Sequence, residues 1–386
     1  MAKKMILIDE MLRKYTTIKD NDLCLCGSGK MFSECHKIYK EKAEENPYSI
    51  YKRTRKIKKD KRCYYESREC NSINTYSHSI PKQSLQSIAE DGHVFHFDLI
   101  EPNQSLEMLE SYSVEPKKIG INEVGCYYGF CGYHDTEVFK EIEISKIIPN
   151  HEQITLTRLR ALTNELYVKT QSLKLIPILN DITASKESKE AQEILGTYSA
   201  QFYLGSYKAI DEFTRDLKVL KNDITSNLYE KYSSIVYILD KDFPIQCCGY
   251  INPIFSIKGE IIQDLNNLSK ESEFFSLNCF YKDNNTYVVF VWKKKHILDD
   301  FFREFQEIPN EDIPNFILQF ILAYSENHAI KPSWWNSLSI IKKKRLMKIF
   351  YEDIIDHQDL QNPINNFRKL KFTSSTLNKV IYLNVN

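Results

Sequence analysis

Between Cys63 and His134 the chain spaces soft ligands in a pattern that core packing does not require. Cys63 and Cys70 stand close together, and about sixty residues later Cys131-Gly132-Tyr133-His134 forms a Cys-x-x-His pair leading into Thr136-Glu137-Val138-Phe139. Thiolate sulfur and imidazole nitrogen in sets of four suit tetrahedral zinc. Ser77-His78-Ser79-Ile80-Pro81 lies between the two pairs. Two ligand schemes fit. In one, Cys63, Cys70, Cys131 and His134 hold a structural zinc and His78 stays outside it. In the other, Cys126 joins Cys131 in an all-cysteine site, which frees His134 and Asp135. The knuckle-to-helix form of Cys131 to Phe139 favours the first.

A second ligand set lies nearer the start. Cys24 and Cys26 flank one residue, Gly27-Ser28-Gly29-Lys30 follows, and Cys35-His36 closes the group. The glycines permit the sharp turn that aims both thiolates at one ion. The Cys-x-Cys-Gly-Ser-Gly-Lys core closely resembles the SEC-C motif, a small zinc hook. That resemblance implies a second structural Zn2+ and a docking module without catalysis of its own, hence a protein partner. Gly-Ser-Gly-Lys lacks the long glycine-spaced loop and Lys-Ser/Thr step of a phosphate-binding loop.

From Cys63 to Glu143 the ligand types, their order and the His-Ile-Pro step resemble an HNH (ββα-metal) nuclease. The resemblance implies that His78 acts as general base on the attacking water, beside Mg2+ or Mn2+. His78 and Asp135 are the candidate catalytic residues. The segment departs from the pattern at three places. Ser77 stands where an acidic or basic residue often precedes the histidine, Asn122 is the nearest asparagine before the second knuckle, and the insert from Gln83 to Gly120 is long. Inside it, Asp91-Gly92-His93-Val94-Phe95-His96-Phe97 alternates like a strand, and His93 and His96 read as structural or exposed.

Immediately upstream, Lys52, Arg53, Arg55, Lys56, Lys58, Lys59, Lys61 and Arg62 form a cationic run. Lys+Arg and Asp+Glu both total 52, so the run is a local asymmetry in a neutral chain. It is placed to neutralise nucleic-acid phosphates, DNA before RNA, and reads equally as a solvated linker. The apolar stretch after Met5 is cut by Asp9 and Glu10, too brief for an export signal, and no run approaches the roughly 20 residues that span a bilayer. A cytoplasmic protein with no membrane partner is expected, its cysteines serving as metal ligands or buried thiols.

The remainder turns helical from His151, with Leu159, Leu162, Leu166 and Leu173 near one stripe and Pro177 stopping or kinking it. A second long helix runs through Ile194, Tyr198, Phe202, Ile210, Phe213 and Leu217. Strands are expected at 233–239, 245–251, 255–262, 274–281 and 286–292, the last two joined at Asp283-Asn284-Asn285. Helices follow at about 297–305, 312–326 and 333–351. Cys247, Cys248 and Cys279 lack metal spacing, and Trp334-Trp335 reads as packing.

The expected fold class is α+β. Its parts are an N-terminal helix at about 5–15 and the hook (1–45), the basic linker (46–62), the HNH-like zinc segment (63–148), a helical region (149–230) and an α+β C-terminal domain (231–386). Two functions compete. One is an endonuclease, by analogy with bacterial restriction and anti-phage systems. The other is a non-catalytic zinc adaptor that docks protein or nucleic acid through the hook or the C-terminal domain.

Overall fold

The computed structural model describes residues 19–24, 29–35, 47–57, 59–71, 76–97, 114–176, 178, 189–265, 270–294, 296–355 and 370–385. The fold is α+β. Its described strands are β1 (Ser77–His78), β2 (His93–His96), β3 (Lys117–Gly120), β4 (Cys126–Tyr127), β5 (Tyr232–Leu239), β6 (Ile245–Ile251), β7 (Phe275–Lys282), β8 (Asn285–Lys293), β9 (His328–Ile330) and β10 (Leu377–Leu383). Its helices are α1 (Pro47–Arg55), α2 (Lys82–Ile88), α3 (Gly132–Glu143), α4 (His151–Ser172), α5 (Lys189–Thr225), α6 (His296–Phe305), α7 (Ile313–Tyr324), α8 (Pro332–Ser337) and α9 (Ile340–Ile355). Two compact units emerge, one from residues within 1–60 and 168–214, the other from residues within 61–99, 104–167 and 215–386. The expected helix at about 5–15 lies outside the described residues, as does Pro177.

In the second unit an antiparallel sheet runs in the order β10-β5-β8-β7-β6-β9-β2-β3, and β1 pairs with β4 apart from it. Period-two alternation sorts each central strand into two faces. Phe275, Leu277 and Cys279 of β7, with Val288, Phe290 and Trp292 of β8, join Phe302, Phe305 and Phe320 of α6 and α7 in one aromatic core. Burying each such ring is worth roughly 1.5–3 kcal/mol, so this face anchors the fold. The intervening residues Ser276 and Asn278 are also buried, and Asn278 Nδ2 donates to the Thr157 carbonyl of α4 at 3.3 Å. Helices therefore cover both sides, which is why β5 to β8 are buried almost end to end.

The β7–β8 hairpin turns on Asp283 and Asn284, both at positive φ (51° and 63°), with Lys282 paired to Asn285. Such a turn matches the strand twist, and Asn and Asp tolerate it. The strand expected over 255–262 is not formed. Ser256 N–H donates to the Glu260 carbonyl and Gly259 sits at φ 89°, a tight turn closed by one Phe255–Ile261 bridge. The helix expected over 333–351 is two helices, because Leu338 is extended (ψ 140°). Trp335 is buried, and its Nε1–H reaches Glu115 at 2.9 Å. Cys247, Cys248 and Cys279 are buried and not disulfide-bonded.

Helix α4 is not a striped surface helix. From Gln153 to Asn164 every residue is buried, including Arg158 and Arg160. Arg158 donates to the Phe274 and Val291 carbonyls (3.2 and 3.0 Å), to Asp216 Oδ2 (2.9 Å) and to the Tyr250 hydroxyl (2.5 Å). These four bonds compensate the buried charge at both terminal nitrogens, while Nε has no partner among the described residues. No described helix is long and apolar enough to cross a membrane.

Candidate metal centre and active site

The loop from Cys63 to Cys70 is brought against the start of α3 by a backbone bond, Tyr64 N–H to the Gly129 carbonyl at 2.8 Å. Gly129 is the one residue type that fits there, since a Cβ would lie 2.1 Å from the Tyr127 ring. Cys131 is the N-cap of α3 and accepts the His134 N–H, so both side chains of the Cys-x-x-His pair project from the first turn. Helix α3 is anchored at its other end by Lys282, whose Nζ donates to the Ile142 and Glu143 carbonyls (3.1 and 2.7 Å). A cation there also complements the helix dipole.

These constraints bring Cys63, Cys70, Cys131 and His134 together, with all four ligand atoms within 4.8 Å of one another. His134 Nδ1 faces the three sulfurs at 3.4, 3.5 and 3.2 Å. Its Nε2 lies 3.0 Å from Ser67 Oγ, which already accepts the Glu69 N–H. Ser67 Oγ keeps a second lone pair that can accept Nε2–H, and with the proton there Nδ1 presents the lone pair a metal requires. Burial also lowers the His134 pKa and so favours neutral imidazole. Burial pushes the Cys63 thiol up to about 12. Burial raises Cys131 too, but the backbone N–H groups of His134 and Asn71 and the neighbouring thiols bring it below its ordinary value. Clustered thiols cannot all ionise without a cation among them, so the donor set fits zinc. Cys126 stands outside the group, its Sγ near the Asn122 and Val124 carbonyls.

His78 pairs with Cys126 across the β1–β4 ladder, next to the pair Ser77 and Tyr127. Its Nε2 lies 3.1 Å from the Ile121 carbonyl. A carbonyl can only accept, so Nε2 carries the proton and Nδ1 is left as a base. The His78 pKa is lowered, first by burial and then by Lys82 and Arg160, against the opposing pull of the Ile121 carbonyl and Asp135. Asp135, one residue beyond the zinc knuckle, is raised by burial and held back by Ser77, Arg160 and His78.

The other sequence candidates go elsewhere. His93 Nδ1 meets the Asp91 carbonyl at 2.6 Å, and His96 Nδ1 meets the His328 carbonyl at 2.9 Å. Lys52, Arg53 and Arg55 occupy the last turn of α1, Lys56 and Lys59 are exposed, and Lys58 lies outside the described residues. Lys61 Nζ sits 5.1 Å over the Tyr128 ring, and Arg62 pairs with Glu66 at 3.2 Å.

In the first unit a Leu23–Met31 bridge and the bond from Cys24 N–H to the Lys30 carbonyl (2.8 Å) form a tight turn, with Gly29 at φ 72°. Cys35 follows a single 3-10 turn over Phe32–Glu34. Cys24 is buried, while Cys26 and His36 lie outside the described residues. Residues 21–37 match the SEC-C motif. No curated protein and no solved structure matches the chain.

Three groups near His78 and His134 escape a reading by motif. Ser67 and the Ile121 carbonyl act through hydrogen bonds across loops, which spacing does not reveal. Arg160 is 3% exposed, ion-pairs Glu143 at 2.5 Å and lies over the Phe139 ring at 4.1 Å. Its one sequence signal was a pair of arginines inside a leucine-rich helix.

Proposed function

We propose that this chain is a metal-dependent endonuclease of the HNH kind that cleaves DNA phosphodiester bonds with His78 as general base. The observation that carries this is the orientation of His78. With Nε2–H on the Ile121 carbonyl, the imidazole is held in one tautomer and its Nδ1 lone pair is available to take a proton from water. The depressed pKa keeps that atom unprotonated at neutral pH. Asp135 brings one carboxylate close enough to His78 to influence it, which suits an ion that keeps most of its waters and takes other ligands from substrate phosphate. Bound by Asp135, Mg2+ or Mn2+ would supply charge stabilisation at the leaving oxygen. The four zinc ligands would pin the 63–70 loop to α3 and so keep the β1–β4 ladder in place. The cationic run from Lys52 to Arg62 would meet the DNA backbone. The setting is restriction or anti-phage defence, and the hook would dock a protein partner.

The test is plasmid nicking by the full chain with Mg2+ or Mn2+, compared with His78→Ala. The expected outcome is a loss of about 100-fold or more while zinc is retained. Undiminished nicking by the variant would remove His78 from the reaction.

A second reading, a zinc adaptor without catalysis, is favoured by one observation. Among the described residues, only Cys63, Cys70, Cys131 and His134 gather as three or more metal-ligating side chains. Plasmid left intact by the wild-type chain in every divalent metal would support it.

A further inference from the structure

The β1–β4 ladder has two unlike faces. Ser77 and Tyr127 are buried, whereas His78 and its partner Cys126 are half-exposed. Alternation places Tyr76 and Tyr128, which flank these strands, on the same side as His78 and Cys126. Both tyrosines are half-exposed, and their rings meet at 4.8 Å between centroids, tilted by 38°. Lys61, exposed at the end of the cationic run, holds its ammonium 5.1 Å above the Tyr128 ring. Two aromatic rings and a cation therefore share a ladder face with the candidate base. The neighbouring Arg62 lies 5.4 Å from the Tyr64 ring.

We infer that Tyr76, Tyr128 and Lys61 form a docking platform for an unpaired base of a DNA strand beside the phosphate presented to His78. The inference rests on the nuclease reading and names the substrate as single-stranded or locally unpaired DNA. Bases stack on aromatic rings without regard to sequence, because every base has a π face, and stacking between neighbouring base pairs in a duplex withholds that face. Lys61 can exchange the ring for a backbone phosphate, since an exposed cation–π contact is weak. The charge complementarity is local, because the chain as a whole is neutral. A polyanion carrying flat rings uses both the Lys61 ammonium and the paired tyrosine rings beside it.

The test uses the full chain carrying His78→Ala, so that bound strands survive. Fluorescence anisotropy compares labelled oligothymidylate, its duplex with oligoadenylate, and oligouridylate. Oligothymidylate is expected to bind most tightly. Tyr76→Leu or Tyr128→Leu should weaken it about tenfold, the equivalent of one lost base stack, while Tyr76→Phe and Tyr128→Phe keep the affinity. Zinc content and thermal melting of the Leu variants verify that they are folded. Unchanged binding by both folded Leu variants, or a duplex held as tightly as the single strand, overturns the platform. Oligouridylate held as tightly as oligothymidylate overturns the assignment to DNA. Cleavage by the chain with His78 intact separates the two ideas. Tyrosine-dependent binding without any cutting sinks the nuclease and leaves the platform standing. Cutting that is unaffected by the Leu substitutions does the reverse.

Discussion

His78 and Ile121 are joined by a hydrogen bond of 3.1 Å from the imidazole Nε2–H to a backbone carbonyl. The contact links β1 to the turn that precedes β4 and decides which ring nitrogen carries the proton. Burial disfavours the charged imidazole, so its pKa lies below the usual value of about 6.5. A base with a lowered pKa is competent throughout the neutral range and fails only on acidification. The rate of plasmid nicking should therefore stay level above neutrality and fall as pH drops through that lowered value. A rate that goes on rising above pH about 7.5 would mean that another group supplies the base.

The cluster of three cysteines and a histidine allows a graded test. Cys131→Ser and His134→Ala each remove a ligand from the group Cys63, Cys70, Cys131 and His134, and each should lower metal content by one zinc per chain. Ser67→Ala leaves all four ligands but removes the hydroxyl that holds His134 Nε2. Its zinc affinity should fall by about 10- to 100-fold. Elemental analysis of the purified chain and titration with a chromogenic chelator would measure both effects. Cys24→Ser should remove a different zinc and leave the first in place.

Gly129 and Gly120 form a matched pair for stability. A Cβ at Gly129 would strike the Tyr127 ring, whereas at Gly120 it meets nothing within 4 Å. Tyr127 is itself buried and bonded through its hydroxyl to Thr163 at 3.0 Å, so it cannot swing away freely. Gly129→Ala should cost about 1–3 kcal/mol in chemical denaturation, and Gly120→Ala about 0.5 kcal/mol or less.

Arg158 is 2% exposed and joins α4 to the sheet and to Asp216 of α5. Tyr250 also bonds Asp216. Arg158→Met keeps the packing volume and removes the cation, leaving a carboxylate with a phenol but no counter-charge. The expected loss is about 3–5 kcal/mol. Arg158→Met combined with Asp216→Asn should recover part of it, and equilibrium urea denaturation of the single and double variants would show whether it does.

His328 is completely buried, with its Nδ1 on the Ser325 carbonyl (2.9 Å) and Nε2 facing the Phe97 N–H (3.4 Å). Burial brings its pKa down to about 3. The unfolded chain takes up a proton below about 6.5, which the folded chain refuses until about 3, so stability falls as pH falls through that window. The loss should reach about 4 kcal/mol at the lower end. His328→Gln should flatten the acid limb of a plot of melting temperature against pH, and an unaltered limb would place the acid sensitivity elsewhere.

Several elements were legible because their signals are local. The alternation of β5 to β8, the Asp283-Asn284 turn and the knuckle-to-helix start of α3 depend on residues a few positions apart. Short-range stereochemistry decides such features in any context. Where local pattern competed with tertiary demand, it misled. Residues 255–262 have strand-like composition but close into a Ser256–Glu260 turn, and α4 is buried on every side from Gln153 to Asn164, not only along its leucines.

By itself the sequence determined that zinc-type ligands exist in two groups, that one group matches the SEC-C motif, and that a histidine stands between two cysteine-bearing segments. Only the tertiary structure decided that Cys63, Cys70, Cys131 and His134 converge while Cys126 does not. It alone decided that Ile121 orients His78, that Ser67 orients His134, and that Arg160 lies buried near both His78 and Asp135. Each of these is a contact between residues far apart in the chain, made through a carbonyl, a hydroxyl or a desolvated charge. The free energy of such a group depends on what surrounds it, and folding, not spacing, sets those surroundings.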